Sequence, residues 1–360
     1  MKKKLKIMEK INYKEIISKY PWIVKKDQLA VISPDADGMI CGLFMSEYLN
    51  WKIVGYYDNG KSLILQNGLS AKDCIFLDTE IYRKEIKSCG HHINIFRNEE
   101  NPGNWDWNNF ANCLNPNVLK ERCFQGKECR NCKSIYHGNK ATKIKECEKC
   151  KGNQFATLFS LKYPMGTIHL LLCIVGYKKN ITFSNDALFS ILQADGTINR
   201  LIDRHTGNFL NWLEYLGVSD KNNILHKLIH YKKVDLLEFS KQYEKYVQQY
   251  VITKKDKIPI SDNNGLISDS FNHSQDKFSI NCKKQVQEYL TFISSNTGWA
   301  YKESKWLWDN FKIYEFTKKS VNPQVRTYKD AVNSNFLSLA ITSTDKKGLQ
   351  YTLEEPDKLP

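Results

Sequence analysis

Short apolar runs alternate with helix-like patterns over the first hundred residues, and this alternation restricts the fold more than any other feature. Residues 29–33, 53–57 and 74–77 are apolar runs, and residues 39–49 have the spacing of a helix. Short apolar strands that alternate with helices are typical of a parallel sheet that is buried on both faces. The sequence therefore predicts an α/β fold in which helices flank a parallel sheet.

Acidic residues follow two of these runs directly. Asp35 and Asp37 come after the first run, and Asp78 comes after residues 74–77. The carboxyl ends of parallel strands share one edge of a sheet, where α/β proteins bind their ligands. Carboxylate oxygens are the ligands that Mg²⁺ and Mn²⁺ prefer. Each acid alone is compatible with an ordinary turn or helix cap, whereas together they predict a divalent-metal site.

Further polar residues continue this pattern along the chain. The pair His91-His92 directly precedes a predicted strand over residues 93–96, and a predicted helix over residues 81–88 separates the pair from Asp78. A second predicted helix starts at residues 184–186 and ends at Asp195, which Gly196 follows.

The pair Asp35 and Asp37, then Asp78, then His91-His92, then Asp195 follow one another in an order that resembles the four motifs of the DHH phosphoesterase family. That family includes RecJ-type exonucleases, oligoribonucleases, cyclic dinucleotide phosphodiesterases and family II pyrophosphatases. The resemblance covers roughly residues 28–205 and implies a centre with two Mn²⁺ or Mg²⁺ ions. By position, the resemblance implies that Asp35 binds one ion, Asp37 binds the other, and Asp78 bridges the two. It also implies that His91 and Asp195 complete the coordination of the second ion and that His92 contacts the substrate phosphate.

The chain departs from the family pattern at two positions. Gly90 precedes the histidine pair where the family has an aspartate, and Val31 stands where some relatives have a metal-binding histidine. A carboxylate that orients a metal-binding histidine is worth about 10–100-fold in affinity or activity. The sequence offers four substitutes without ranking them: Ser33, Asp58, Glu80 and Glu85.

Two Cys-x-x-Cys pairs lie in a lysine-rich segment, residues 113–153, that interrupts the α/β pattern. Cys129 and Cys132 form the first pair, and Cys147 and Cys150 form the second. Four thiolates in two such turns are typical of a closed, tetrahedral Zn²⁺ site, so we predict a zinc-knuckle insertion with structural zinc. Further cysteine and histidine residues are less favoured as alternative ligands: Cys113, Cys123 and His137. The insertion could serve folding alone or could also hold nucleic acid.

Charge favours a polyanionic partner. Lysine and arginine number 53 and aspartate and glutamate 39, a difference of 14. Such an excess is typical of proteins that bind nucleic acid, although it does not identify the partner. The first ten residues lack a signal-peptide core, and no apolar run approaches the roughly 20 residues of a membrane span. We therefore predict a cytoplasmic protein with no membrane association.

The chain divides into four predicted regions. A DHH-like domain over residues 1–205 is followed by a helical connector over 206–252, a linker or mobile loop over 253–277, and an aromatic and basic α+β domain over 278–360. The last region interleaves tryptophan and tyrosine with lysine, a pattern that suits either base stacking or a small core. The glycine-rich Gly-Gly-Gly-His motif of many DHH proteins is absent from the sequence.

These features predict a divalent-metal-dependent phosphodiesterase of single-stranded nucleic acid or short oligonucleotides. Two alternatives stay open. One keeps the centre but has a nucleotide or cyclic dinucleotide as substrate, and the other is a zinc-stabilised nucleic-acid-binding protein whose catalytic centre has decayed.

Overall fold

The computed structural model describes most of the chain. The described residues are 10–58, 60–93, 105–120, 126–137, 141, 143–157, 162–182, 185–199, 206–230, 235, 237–238, 240–241, 257–262, 265–321, 331–341, 349–354 and 359–360.

The described segments form short strands, α-helices and 3₁₀ turns. The strands are β1 (Leu29–Ile32), β2 (Lys52–Tyr57), β3 (Ser62–Gln66), β4 (Cys74–Leu77), β5 (Lys87–Cys89), β6 (Cys113–Leu114), β7 (Gly126–Cys129), β8 (Ile135–His137), β9 (Phe155–Thr157), β10 (Ser261–Asp262), β11 (Gly265–Leu266), β12 (Phe271–Asn272), β13 (Lys277–Phe278), β14 (Phe311–Glu315), β15 (Thr317–Val321), β16 (Phe336–Ile341) and β17 (Leu349–Leu353). The helices are α1 (Tyr13–Lys19), α2 (Ala36–Leu49), α3 (Pro116–Leu119), α4 (Thr167–Lys178), α5 (Asn185–Gln193), α6 (Thr197–Asn199), α7 (Thr206–Tyr215) and α8 (Ile280–Thr297).

The central sheet has the strand order β14-β3-β2-β1-β4-β5-β6. Strands β2, β1, β4, β5 and β6 are parallel, whereas β3 and β14 run antiparallel to their neighbours. Leu29 pairs with Cys74 and Ile32 with Leu77, so β1 and β4 end at the same edge. The predicted α/β class with a mostly parallel sheet is confirmed.

Both faces of the sheet are buried, but by different kinds of structure. Ala30 and Ile32 of β1 pack into a cluster with residues of α2, α4, α5 and α8, whereas Val31 packs on the opposite face with Phe316 and Leu337. Alternate side chains of a strand point to opposite faces. Among the described residues, helices therefore cover one face and segments of the C-terminal region contribute to the other. The prediction of helices on both faces differs from this arrangement.

The aromatic C-terminal region is part of the main body. Strand β14 pairs with β3 at the edge of the central sheet, and β15, β16 and β17 form a small sheet of their own. Trp299, Trp306 and Trp308 are buried in the main core. These tryptophans are therefore core residues and are not available for base stacking. Residues on both sides of the predicted boundary at residue 278 thus pack into one core.

Residues 253–277 also differ from the predicted linker. The described part of this segment contains two short antiparallel pairs, β10 with β11 and β12 with β13. Ile258 and Ile260 are fully buried, so part of this segment belongs to the core, whereas residues 273–276 are exposed. In the predicted connector over 206–252, α7 and a 3₁₀ turn over Ile224–His230 are helical, and much of the rest lies outside the described residues.

The segment before the histidine pair is not the predicted helix. Residues 87–89 form strand β5, and the Ile81 N–H donates to the Ser88 hydroxyl at 3.2 Å in place of a helical hydrogen bond. His91 therefore follows a parallel strand. Ile93 is not in a strand, and residues 94–96 of the predicted strand lie outside the described residues.

Within the described part of the chain, no helix combines the length and apolar character that crossing a bilayer requires.

We predict that Trp299→Ala lowers the free energy of unfolding by about 3–5 kcal/mol, because it opens a cavity beside the helices. Ile280→Ala is the control, since Ile280 is 84% exposed and its loss should change stability by about 0.5 kcal/mol or less. Urea denaturation measures both. Unchanged stability together with weaker nucleic-acid binding by Trp299→Ala would support a stacking platform instead.

Candidate metal centre

Asp35 and Asp37 lie at the carboxyl end of β1, where the chain turns into α2. Asp35 caps the helix by accepting the Gly38 N–H at 3.1 Å. It also accepts the Ser33 hydroxyl at 2.5 Å and pairs with the Lys257 ammonium at 3.0 Å. Burial raises the pKa of Asp35, but Lys257, Ser33 and Gly38 outweigh burial and bring that pKa below its usual value. Asp35 is therefore a paired carboxylate.

Asp37 points in another direction, toward the start of α4. Its two oxygens accept the backbone N–H groups of Thr167 at 2.5 Å and Ile168 at 3.1 Å. Helix N-termini favour negative charge because their first N–H groups have no partner within the helix. Gly166 allows the approach, since a Cβ there would lie 2.8 Å from an Asp37 oxygen. Burial nevertheless raises the pKa of Asp37 above its usual value, although His91 opposes the change.

Asp78 lies at the end of β4, in a left-handed conformation with φ of 58°. It accepts the Thr167 hydroxyl at 2.7 Å. Burial, followed by the nearby charges of Asp37 and Asp35, raises its pKa well above the usual value. Such a carboxylate favours a nearby cation, since a positive charge would offset its burial.

His91 contacts both Thr167 and Asp195. Its Nδ1 lies 3.0 Å from the Thr167 hydroxyl and its Nε2 lies 3.2 Å from Asp195 Oδ2. Because that hydroxyl donates to Asp78, its oxygen is left to accept a hydrogen bond from Nδ1–H. A neutral His91 then directs a lone pair toward a carboxylate oxygen. Two ligand atoms that each lie about 2.1 Å from a cation, with a right angle between the two bonds, are about 3 Å apart. The distance between His91 Nε2 and Asp195 Oδ2 therefore fits a shared divalent ion.

His92 is stacked on His91, with ring centroids 4.4 Å apart. Its Nδ1 lies 3.1 Å from Glu80 Oε2. Burial lowers the pKa of His92, but the hydrogen bond and charge of Glu80 outweigh it and raise the pKa overall.

These contacts bring the predicted residues together to different degrees. Ligand atoms of Asp78, His91 and His92 all lie within 4.8 Å of one another and could hold a metal ion. Asp195 adjoins this group through His91, and Asp37 adjoins it through Thr167. The contacts of Asp35 are with Ser33, Gly38 and Lys257.

Sequence reasoning missed residues that hold this group in place. Thr167 contacts both Asp78 and His91, and Asn117 donates to the His91 carbonyl oxygen at 3.1 Å. Lys257 approaches Asp35 from 222 residues away. The sequence Gly166-Thr167 before an apolar run signals a helix start. The other two had no local signal, since their contacts depend on the tertiary fold.

The four cysteines of the insertion form a second cluster. Their sulfur atoms lie within 4.8 Å of one another, with Cys129 to Cys150 at 3.5 Å and Cys132 to Cys147 at 3.4 Å. Zn²⁺ with Zn–S bonds of about 2.3 Å separates its sulfur ligands by about 3.8 Å. The cluster could therefore hold structural zinc, as predicted.

The two cysteine turns have the same construction. The Lys133 N–H donates to the Cys129 carbonyl oxygen, and the Lys151 N–H donates to the Cys147 carbonyl oxygen. Both lysines have a left-handed backbone conformation. Burial raises the pKa of Cys147, but hydrogen bonds led by that from Tyr136 outweigh it and lower the pKa to about 6, which favours the thiolate.

The alternative cysteine ligands differ in position. Cys113 belongs to β6 of the central sheet and is buried there, away from this cluster. Cys123 and the side chain of His137 lie outside the described residues.

Comparisons with known proteins give no further assignment. No family model matches this chain, and no curated protein or solved structure is significantly similar to it.

We predict that the purified protein contains zinc and that Cys147→Ser loses it, because three thiolates bind Zn²⁺ less tightly than four. Cys282→Ser is the matched control, since Cys282 is buried but contacts the Pro259 carbonyl oxygen and not this cluster. Elemental analysis measures both. Full zinc content in Cys147→Ser would contradict the assignment.

Proposed function

We propose that this protein is a divalent-metal-dependent phosphodiesterase that hydrolyses single-stranded nucleic acid or short oligonucleotides. The observation that supports it most is the convergence of Asp78, His91 and His92 at the carboxyl edge of a mostly parallel sheet. Edges of this kind bind ligands in α/β proteins, and oxygen and imidazole ligands suit Mn²⁺ and Mg²⁺. The order of the motifs resembles that of the DHH family.

The proposed roles are those that the resemblance to the DHH family implies for these positions. Asp37, Asp78, His91 and Asp195 would hold a divalent ion, and Asp35 would contribute to a second one. Bound divalent ions supply a water of lowered pKa and stabilise charge at the phosphorus. Thr167 fixes the orientation of His91 and Asp78, which leaves the opposite side of each group for the ion. His92 lies beside them and would contact the substrate phosphate.

Lysine residues beside Asp35 favour an anionic substrate. Lys257 forms an ion pair with Asp35. Burial lowers the pKa of Lys318, and the charges of Lys257 and Lys61 lower it further. The charges of Lys257 and Lys61 therefore act on Lys318, and Lys257 contacts Asp35 directly. A phosphodiester would place negative charge among them.

The turn between β2 and β3 holds two of these lysines in place. Asp58 accepts the backbone N–H groups of Gly60, Lys61 and Ser62, and the Lys318 side chain lies against Gly60. Because β2 is adjacent to β1, this turn is at the same edge of the sheet as Asp35. The basic groups therefore adjoin the acids from the side of β2.

A nucleotide or cyclic dinucleotide would satisfy the same groups, so chain length must be tested directly. A long strand displaces many counterions, and its binding therefore weakens steeply with added salt. The excess of 14 positive charges favours the longer substrate.

The second candidate is a nucleic-acid-binding protein without catalysis. The ion pair between Asp35 and Lys257 favours it, because a carboxylate paired with an ammonium is less available to a metal. Val31 adds to this, since the chain lacks a histidine at that position. This candidate requires binding without hydrolysis.

We predict that Asp78→Ala abolishes Mn²⁺-dependent cleavage of end-labelled single-stranded DNA, RNA or a dinucleotide. The loss should exceed the about 10–100-fold that removal of an outer orienting group costs, because Asp78 would contact the ion itself. Asp309→Ala, at an exposed acid, is the control and should keep full activity. Wild-type rates in Asp78→Ala would refute the proposal, and binding without cleavage by the unmodified protein would favour the second candidate.

We also predict that Lys318→Gln raises the KM about tenfold, because it removes a charged contact to the substrate. Lys319→Gln is the matched control, since the side chains of neighbouring strand residues point to opposite faces. Steady-state kinetics at two salt concentrations measure both. Equal KM values for the two variants would argue against the lysine cluster as a substrate contact.

A further inference from the structure

We infer that Glu80 is a positioning residue that fixes the proton arrangement of His92. The carboxylate that orients the histidine pair would then come from residue 80 in place of residue 90. The catalytic consequence rests on the proposed function, whereas the proton arrangement itself can be measured without it.

Glu80 is held by partners that define the role of each oxygen. Oε1 accepts the Ile93 N–H at 2.9 Å and the Asn115 side-chain amide at 2.6 Å. Oε2 faces His92 Nδ1 at 3.1 Å. The side chain is buried, with 2% of the residue exposed, so water does not compete for these contacts. A carboxylate in this position accepts a hydrogen bond from Nδ1–H and leaves the Nε2 lone pair for a ligand.

Gly90 provides the space for this carboxylate. A Cβ at residue 90 would lie 2.6 Å from Glu80 Oε2 and 2.8 Å from its Cδ, closer than real Cβ contacts. Glu80 therefore occupies the volume into which a side chain at residue 90 would extend. An acid at residue 90 and Glu80 in its observed position therefore exclude each other.

The other substitutes that the sequence offered have different roles. Ser33 donates to Asp35, and Asp58 accepts three backbone N–H groups in the turn after β2. Glu85 is exposed. Among the four, the described contacts place Glu80 alone on a histidine of the pair.

Glu80→Gln tests the inference because it preserves shape and reverses one hydrogen bond. Ile93 and Asn115 both donate to Oε1, so the glutamine oxygen must take that position. Its amide nitrogen then faces His92 Nδ1 and donates to it. We expect the neutral ring to move its proton from Nδ1 to Nε2.

Long-range ¹H–¹⁵N NMR on the metal-free protein, at a pH where the ring is neutral, reports this tautomer. We expect the Nδ1–H form in the unmodified protein and the Nε2–H form in Glu80→Gln, with His91 unchanged as the internal reference. Glu85→Gln is the matched control and should leave both rings as they are. Hydrolysis by Glu80→Gln should fall about 10–100-fold.

A second pair of variants tests the shared volume. Gly90→Asp alone should disturb the His92 signals, because two carboxylates would compete for one space. Combined with Glu80→Ala, the same substitution should restore the Nδ1–H form, since the new carboxylate can occupy the vacated volume. This comparison remains informative if Glu80→Gln does not fold.

The outcomes separate this inference from the proposed function. An Nε2–H tautomer in the unmodified protein, an unchanged tautomer in Glu80→Gln, or failure of the double variant to restore Nδ1–H would each overturn it. The expected tautomers in a protein without hydrolytic activity would support the role of Glu80 while refuting the phosphodiesterase.

Discussion

Thr167, the first residue of α4, connects the segments from which the candidate metal centre is built. Its N–H donates to Asp37, its hydroxyl donates to Asp78, and the same oxygen contacts His91 Nδ1. One residue thus joins the turn after β1, the end of β4 and the loop after β5. The strand order places these ends side by side, and Thr167 fixes the direction in which each side chain points.

Buried negative charge is the main electrostatic feature of this edge. Asp37 and Asp78 both have raised pKa values because burial disfavours their ionised forms. Asp35 differs, since Lys257 and its hydrogen bonds hold its pKa down. Buried carboxylates need either protons or cations nearby. Lys257 supplies a cation at Asp35, and the ligand atoms of Asp78, His91 and His92 lie close enough together to hold one.

Much of the central sheet could be predicted because its signals are local. Residues 29–33 and 74–77 are short apolar runs that end in acids, and Asp35 is a standard helix cap for α2. The cysteine cluster could also be predicted, because the ligands of such a site are close in sequence. In these segments, local pattern and tertiary environment agree.

The remainder depended on contacts between distant segments. Strand β14 completes the sheet about 245 residues after β3, and Lys257 reaches Asp35 from a segment whose composition resembles a loop. Residues 81–88 resemble a helix, but pairing of β5 with β4 and β6 overrides the local preference. The role of Glu80 could not be ranked because it depends on the space left by Gly90. Such features follow from packing, which single-sequence patterns do not encode.

Anomalous diffraction at the manganese and zinc edges, from crystals grown with Mn²⁺, tests the central claim most directly. We expect a manganese peak within bonding distance of Asp78 and His91 and a separate zinc peak among Cys129, Cys132, Cys147 and Cys150. A zinc peak at the cysteines with no manganese at Asp78, in crystals whose mother liquor holds millimolar Mn²⁺, would contradict a catalytic metal centre in this protein.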